Sequence, residues 1–132
     1  MPEANGAAKG KEIMDQLPKA VREYVDASNA FDGERLIATF ADDAFVNDAR
    51  REFWGVEAIK GWSEKEIIGD KVTMYPTRVV VHYGVVGVDA IVDGNYDKTK
   101  LPPGPLTLTH YFTVRGDLIV RLIIIRNIPA QQ

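Results

Sequence analysis

The chain reads as an α+β domain, with helices first and an antiparallel sheet after them. Three observations predict this. Apolar residues recur at three- and four-residue steps early in the chain, and residues from Lys71 to Arg126 are rich in Val, Ile, Thr and Tyr. The β-rich runs also follow one another with no helical pattern between them, so strands are consecutive in sequence. That order predicts helices stacked on one face of an antiparallel sheet and excludes a doubly wound parallel one.

The helices come from periodicity. Residues 1–10 carry no period and read as a disordered tail, with a single domain over 11–132. Leu17, Ala20, Val21, Tyr24, Val25, Ser28 and Phe31 then fall on one stripe, while Lys19, Arg22, Glu23 and Asp26 face away from it. Asp32-Gly33 interrupts the stripe. Asp32 is placed to cap a second short helix through Leu36, Ile37 and Phe40, with Glu34 near its positive end.

From Ala44 to Asp48 the side chains alternate, Ala44, Val46 and Asp48 on one face and Phe45 and Asn47 on the other. Alternation alone does not say which face is inward. A charged turn through Arg50, Arg51 and Glu52 leads to Gly55, which opens a third helix carrying Val56, Ile59, Trp62, Glu66 and Ile67, with Gly69 as its stop. Gly61 inside that helix costs roughly 1 kcal/mol relative to alanine, which predicts a close packing partner.

Four long strands follow: Lys71 to His82, Val85 to Asp97, Leu106 to Arg115 and Leu118 to Arg126. Pro76 predicts an edge position or a bulge in the first, and Gly84, Gly87 and Gly94 allow strong curvature. The last strand is apolar on both faces apart from Arg121. One face can meet the helices; the other predicts a homodimer through the sheet.

Composition narrows the function. With 132 residues, 45% hydrophobic, the chain is one domain with enough core to need no staple, and it has no cysteine. That removes disulfides, thiolate nucleophiles and Cys-type metal sites, and makes a cytoplasmic location the default expectation. The formal charge of −3 is spread without a basic stripe, so neither nucleic acid nor a membrane surface is an expected partner. There is no apolar run of membrane-span length, and MPEANGAAKGKE lacks a signal-peptide core. Two isolated histidines predict no metal site, and no phosphate loop or dinucleotide fingerprint implies a cofactor.

The strings REYVDASNAFDGERLIATFADDAFVND and FWGVEAIKGW, and the pairing of THYFTV with RGDLIVRL, resemble the nuclear transport factor 2-like superfamily in its SnoaL-like and ketosteroid isomerase-like branch. The resemblance covers about Leu17 to Asn127. It implies a cone-shaped (cystatin-like) fold, three N-terminal helices on a strongly curved antiparallel sheet, and a pocket between the two. In the steroid isomerases an Asp at the end of the first strand shuttles a proton and a Tyr on the first helix donates to the enolate oxygen. Asp48 and Tyr24 fall in register with those roles. A second, protonated acid of that pattern is replaced here by Leu108, which counts against the steroid isomerase reaction; among isomerase, cyclase and dehydratase chemistry, a Tyr, Asp and His pocket suits a dehydratase better than an isomerase.

Two readings of Asp48 stand side by side: a buried carboxylate that accepts and returns a proton, or a solvated one held by Arg50 and Arg51. Tyr24 is either a hydrogen-bond donor or a core aromatic. His110 shares a strand face with Leu106, Leu108, Phe112 and Val114, where a polar ring needs a partner, and it is a candidate acid. Trp54 and Trp62 at the pocket mouth, with Leu108, Phe112 and Ile125, complete the candidate substrate-binding set. The expected ligand is a small hydrophobic carbonyl compound, turned over by acid–base chemistry without a cofactor. A non-catalytic ligand pocket and a dimerisation module are the alternatives.

Overall fold

The computed structural model describes residues 10–126. The expected tail therefore lies outside the described residues except for residue 10, which is helical, as do residues 127–132 at the end of the domain. Helix α1 occupies 10–16 and α2 spans Lys19–Asn29, starting after Pro18, whose fixed φ suits a helix entrance. Ala20, Val21, Tyr24, Val25, Ala27 and Ser28 form the buried stripe of α2. Phe31 does not join it. The chain turns there with φ 55°, and its ring is exposed.

Polar side chains tie α2 to the sheet. Ser28 Oγ donates to the Val72 carbonyl at 3.0 Å, and Asn29 holds both backbone groups of Met74, Nδ2 donating at 2.9 Å and Oδ1 accepting at 2.7 Å. Asp32 caps α3 (Gly33–Ile37) by accepting from the Arg35 N–H at 3.1 Å. Phe40 lies beyond this helix and begins strand β1 (Phe40–Asp48).

β1 is longer than the alternation suggested, and it turns back as a hairpin. Ala49 and Arg50 both have positive φ, and Asn47 Oδ1 braces the turn by accepting from the Arg50 N–H at 2.9 Å. The charged segment thus continues as β2 (Arg51–Trp54), antiparallel to β1. Gly55, with φ 85°, then opens α4 (Val56–Trp62). A wider π turn over Ser63–Ile68 continues the helix, closed by the Gly69 N–H donating to the Glu64 carbonyl at 2.9 Å, one residue further back than in an α-helix. Glycine is required at position 69, where a Cβ would collide with the Lys65 carbonyl. Gly61 has no packing partner: it is exposed, with open space where its Cβ would stand.

The sheet has six strands, in the order β2-β1-β6-β5-β4-β3. β3 (Thr73–His82), β4 (Val85–Asp93), β5 (Leu106–Arg115) and β6 (Leu118–Arg126) pair antiparallel in succession, while β1 lies parallel to β6. Pro76 sits on an edge strand and also at a register shift, between Pro76 and Arg78. β4 ends at Asp93, four residues earlier than its composition suggests, because Asp93-Gly94-Asn95 leaves the sheet and packs onto Asp70, with the Asn95 N–H donating to the Asp70 carbonyl at 2.7 Å.

The helices cover one sheet face, where Val46, Val86, Val88, Phe112, Ile119 and Leu122 are buried with the α2 stripe. Tyr24 packs edge-on against Phe40 and Phe112, at centroid distances of 5.9 and 5.3 Å. The other face is open. There Ile125, Tyr111, Ile91 and Tyr75 are exposed, as the two-sided apolar pattern of the last strand implies. Among the described residues, no helix is long and apolar enough to cross a membrane.

Candidate active site

The inward parity of β1 carries Ala44, Val46 and Asp48 toward the helices, and the strand ends where α2, the π turn and β5 meet. A cavity of about 140 Å³ opens at that junction, lined by Tyr24, Ser28, Asp48, Glu66, Ile67, Asp70, Val72, Met74, Val92, Tyr96, Leu106, Leu108, His110 and Ile124. Asp48, Tyr24 and His110, proposed from three separate elements, thus line the same cavity. A second space of about 420 Å³ shares Asp48, Tyr96, Leu106, Leu108 and Ile124 and adds Leu101, Arg51, Asp97 and Arg126.

Asp48 is held on one side. The Trp62 indole N–H donates to Oδ2 at 3.0 Å, and Arg51 Nη2 donates to the same oxygen at 3.1 Å. No described residue donates to Oδ1. The side chain is 21% exposed, so the two sequence readings of this residue coexist: it is paired with Arg51 and it also faces the cavity. Arg51 is gripped in turn by Glu66, with Nη1 to Oε2 at 2.9 Å and Nη2 to Oε1 at 2.7 Å. The Glu66 hydrogen bond is the main reason that the guanidinium pKa is raised further.

Tyr24 is 1% exposed, and its hydroxyl makes no hydrogen bond to a described residue. Burial, and secondarily the Asp48 carboxylate, push its pKa above the usual phenol value, so it stays protonated and able to donate. His110 is 4% exposed and stacks on Phe112 with a centroid separation of 6.1 Å. Burial lowers its pKa to about 4, against the opposing pull of the Val88 and Leu108 carbonyls and Asp89. The ring is therefore neutral near pH 7, and its buried Nδ1 has no partner among the described residues.

The candidate lining set is corrected in part. Leu108 faces the cavity. Trp62 does not line it but stands behind Asp48 as a donor, and Phe112 is fully buried behind Tyr24 and His110. Trp54 is 67% exposed, because its partner in register, Phe45, belongs to the outward parity of β1. The two rings lie 4.1 Å apart on the open sheet face. Ile125 is likewise on that face, 46% exposed, and its neighbour Ile124 takes the inward place. Glu66, Asp70 and Tyr96 were missed as site residues. The Asp-Gly-Asn turn at 93–95 was the available signal for Tyr96, since it takes that residue out of the strand and over the cavity.

Among the described residues, no three His, Asp or Glu side chains converge to hold a metal ion. The arrangement offers instead a carboxylate with one free oxygen, a phenol locked in its protonated form and a neutral imidazole, all facing an apolar hollow.

Helices packed on a curved sheet over a side-chain-lined hollow define a pocketed α+β domain, and solved structures of that kind align with the chain. A Sinorhizobium meliloti protein provisionally named a polyketide cyclase is 33% identical, with a TM-score of 0.74 over 85% of this chain and 98% of that one. A Catenulispora acidiphila protein with a ketosteroid isomerase-like fold, solved with trimethylamine, is 20% identical, with a TM-score of 0.70 over 83% of this chain and 86% of the other. The orange carotenoid protein of Anabaena, solved with canthaxanthin, is 20% identical with a TM-score of 0.71, and this chain spans 36% of its length. The latter two speak for the fold alone. Neither the protein-family models nor the curated proteins give a match. The chain belongs to the nuclear transport factor 2-like superfamily, in its SnoaL-like and ketosteroid isomerase-like branch.

Proposed function

We propose that the cavity takes a small hydrophobic carbonyl compound and that Asp48 acts on it as a base. One observation carries this reading: a carboxylate with one free oxygen, a phenol without a protein partner and a neutral imidazole line the same hollow. In the reaction, Asp48 removes a proton from the carbon beside the carbonyl, and the electron pair moves onto the carbonyl oxygen as an enolate. Tyr24 donates a hydrogen bond to that oxygen, and His110 donates or accepts as the second polar group. Return of the proton from Asp48 to another carbon gives isomerisation; attack of the enolate on a second carbonyl, whose alkoxide takes that proton, gives cyclisation; and collapse of the enolate with loss of a β-hydroxyl, which leaves as water with that proton, gives dehydration.

The inner volume of about 140 Å³ suits one ring-sized group, with the rest of the molecule running toward Leu101 and Arg126. Binding without turnover is the second reading, and it needs only the cavity itself; two proteins of this fold were solved with canthaxanthin and with trimethylamine. The open sheet face supports assembly as a twofold homodimer.

Titration of cyclic ketones by calorimetry tests the ligand. Leu108→Trp fills the cavity and should abolish saturable binding, while Ile125→Trp, on the opposite sheet face, should leave it in place. Ketone binding that survives Leu108→Trp in a folded protein contradicts the reading.

A further inference from the structure

Three spaces have two residues in common. Beside the inner cavity of about 140 Å³ and the outer one of about 420 Å³ lies a third, of about 520 Å³, walled on one side by Pro102, Pro103 and Pro105. Tyr96 and Leu106 line all three. Leu106 belongs to β5 and is fixed in register opposite Val92. Tyr96 lies outside the strands, so its side chain is the adjustable one of the two.

The Tyr96 ring rests against the inner lining. Its hydroxyl donates to the Val92 carbonyl at 3.4 Å, and its Cδ1 passes close over Gly94, where an added Cβ would stand 3.2 Å from it, 2.9 Å from the Asp70 carbonyl oxygen and 3.2 Å from Val72 Cα. Val92, Asp70 and Val72 all line the inner cavity. The backbone beside the ring is pinned by the Asn95 N–H, which donates to the Asp70 carbonyl at 2.7 Å. The side chain itself is held less firmly. Its hydrogen bond is long, and Lys98, 5.3 Å from the ring centroid, is an exposed residue paired with exposed Asp93 at 2.7 Å. Across the third space, the three prolines fix their own φ angles, which stiffens that wall independently of Tyr96.

Building on the carbonyl-binding role proposed above, we infer that Tyr96 is the specificity-determining residue of the cavity: its ring partitions the inner hollow from the space beside the prolines and limits the reacting end of the ligand to the width of one ring. A ketone carried on a wider cage meets the Tyr96 ring before its carbonyl reaches Asp48, and overfilling a packed site is unfavourable. Removing the ring joins the hollow to a space already formed, and the limit is lifted.

Calorimetry with cyclohexanone and the cage ketone adamantanone tests this. Apolar area alone favours the larger molecule, so the opposite order reports a steric limit. The wild-type protein should bind cyclohexanone at least about tenfold more tightly than adamantanone, and Tyr96→Ala should cut that preference by at least about tenfold. Tyr96→Phe, which keeps the ring and removes the hydroxyl, should keep the wild-type preference. Where thermal unfolding shows that the alanine variant does not fold, Tyr96→Leu takes its place and should cut the preference by at least about threefold. Tighter wild-type binding of adamantanone, or a preference that the folded Ala or Leu variant leaves unchanged, overturns the inference, while cyclohexanone binding in that case still supports the carbonyl pocket. Loss of the preference in Tyr96→Phe also overturns it, because the hydroxyl and not the ring would then select. If the wild-type protein binds neither ketone, both readings fall.

Discussion

The indole N–H of Trp62 donates to Asp48 Oδ2 at 3.0 Å, linking the last residue of α4 to the last residue of β1. With Arg51 on the same oxygen, this contact fixes the carboxylate plane and leaves Oδ1 to the cavity. Trp62→Phe keeps most of the apolar volume and removes the donor. It should lower kcat by roughly tenfold through a misaligned base, with KM little changed, and destabilise the fold by about 1–2 kcal/mol. Steady-state kinetics with urea unfolding checks both. An equal fall in stability with unchanged kcat would make Trp62 a packing residue only.

Tyr24 offers a cleaner separation of fold from chemistry. Its ring is clamped by Phe40 and Phe112, but its hydroxyl has no protein partner among the described residues. Tyr24→Phe should therefore change stability by less than about 1 kcal/mol and lower turnover by on the order of 10–100-fold. Thermal unfolding and turnover measured on one preparation give the comparison.

His110 couples the site to pH. Its folded pKa is about 4 and its ordinary value 6.5, so the unfolded chain binds the proton more readily. The stabilisation is fully present above about pH 6.5 and is lost as pH falls toward 4, by roughly 3 kcal/mol across that window. Urea midpoints between pH 7 and 4.5 should show this slope, and His110→Leu should flatten it. An identical slope in the variant would assign the acid sensitivity elsewhere.

The open sheet face makes a separate prediction. Ile125 and Tyr111 lie there on adjacent strands, both exposed. Ile125→Glu should convert a dimer into a monomer in sedimentation velocity without altering the far-ultraviolet spectrum, since the side chain is not in the core. A wild-type protein that is monomeric at all concentrations would remove the homodimer from the account.

How far the sequence reached depends on the kind of signal. The amphipathic stripe of α2 from Ala20 to Ser28, the Asp32 cap, the Gly55 helix start and the Pro76 irregularity rest on local chemistry, and each appears where its residues place it. β2 was illegible because its hairpin turns on Ala49 and Arg50, both with positive φ, instead of the Gly or Asn that announces such a turn. Asp48 and Tyr24 were singled out through the family resemblance and His110 through its place on an apolar strand face, and all three line the cavity. The places of Trp54 and Ile125 turned on which face of the sheet points inward, which two-sided apolar strands do not disclose. The Arg51–Glu66 grip was hidden too, because it depends on the π turn, a change in helical winding that periodicity does not show.

Solvent-deuterium incorporation beside the carbonyl of a bound cyclic ketone, followed by proton NMR, tests the central claim most directly. The wild-type protein should exchange that position far faster than buffer does, and Asp48→Asn should bind the ketone but slow exchange by at least about a hundredfold. Saturable binding with exchange no faster than buffer, or equal exchange by the Asn variant, would contradict Asp48 as the base.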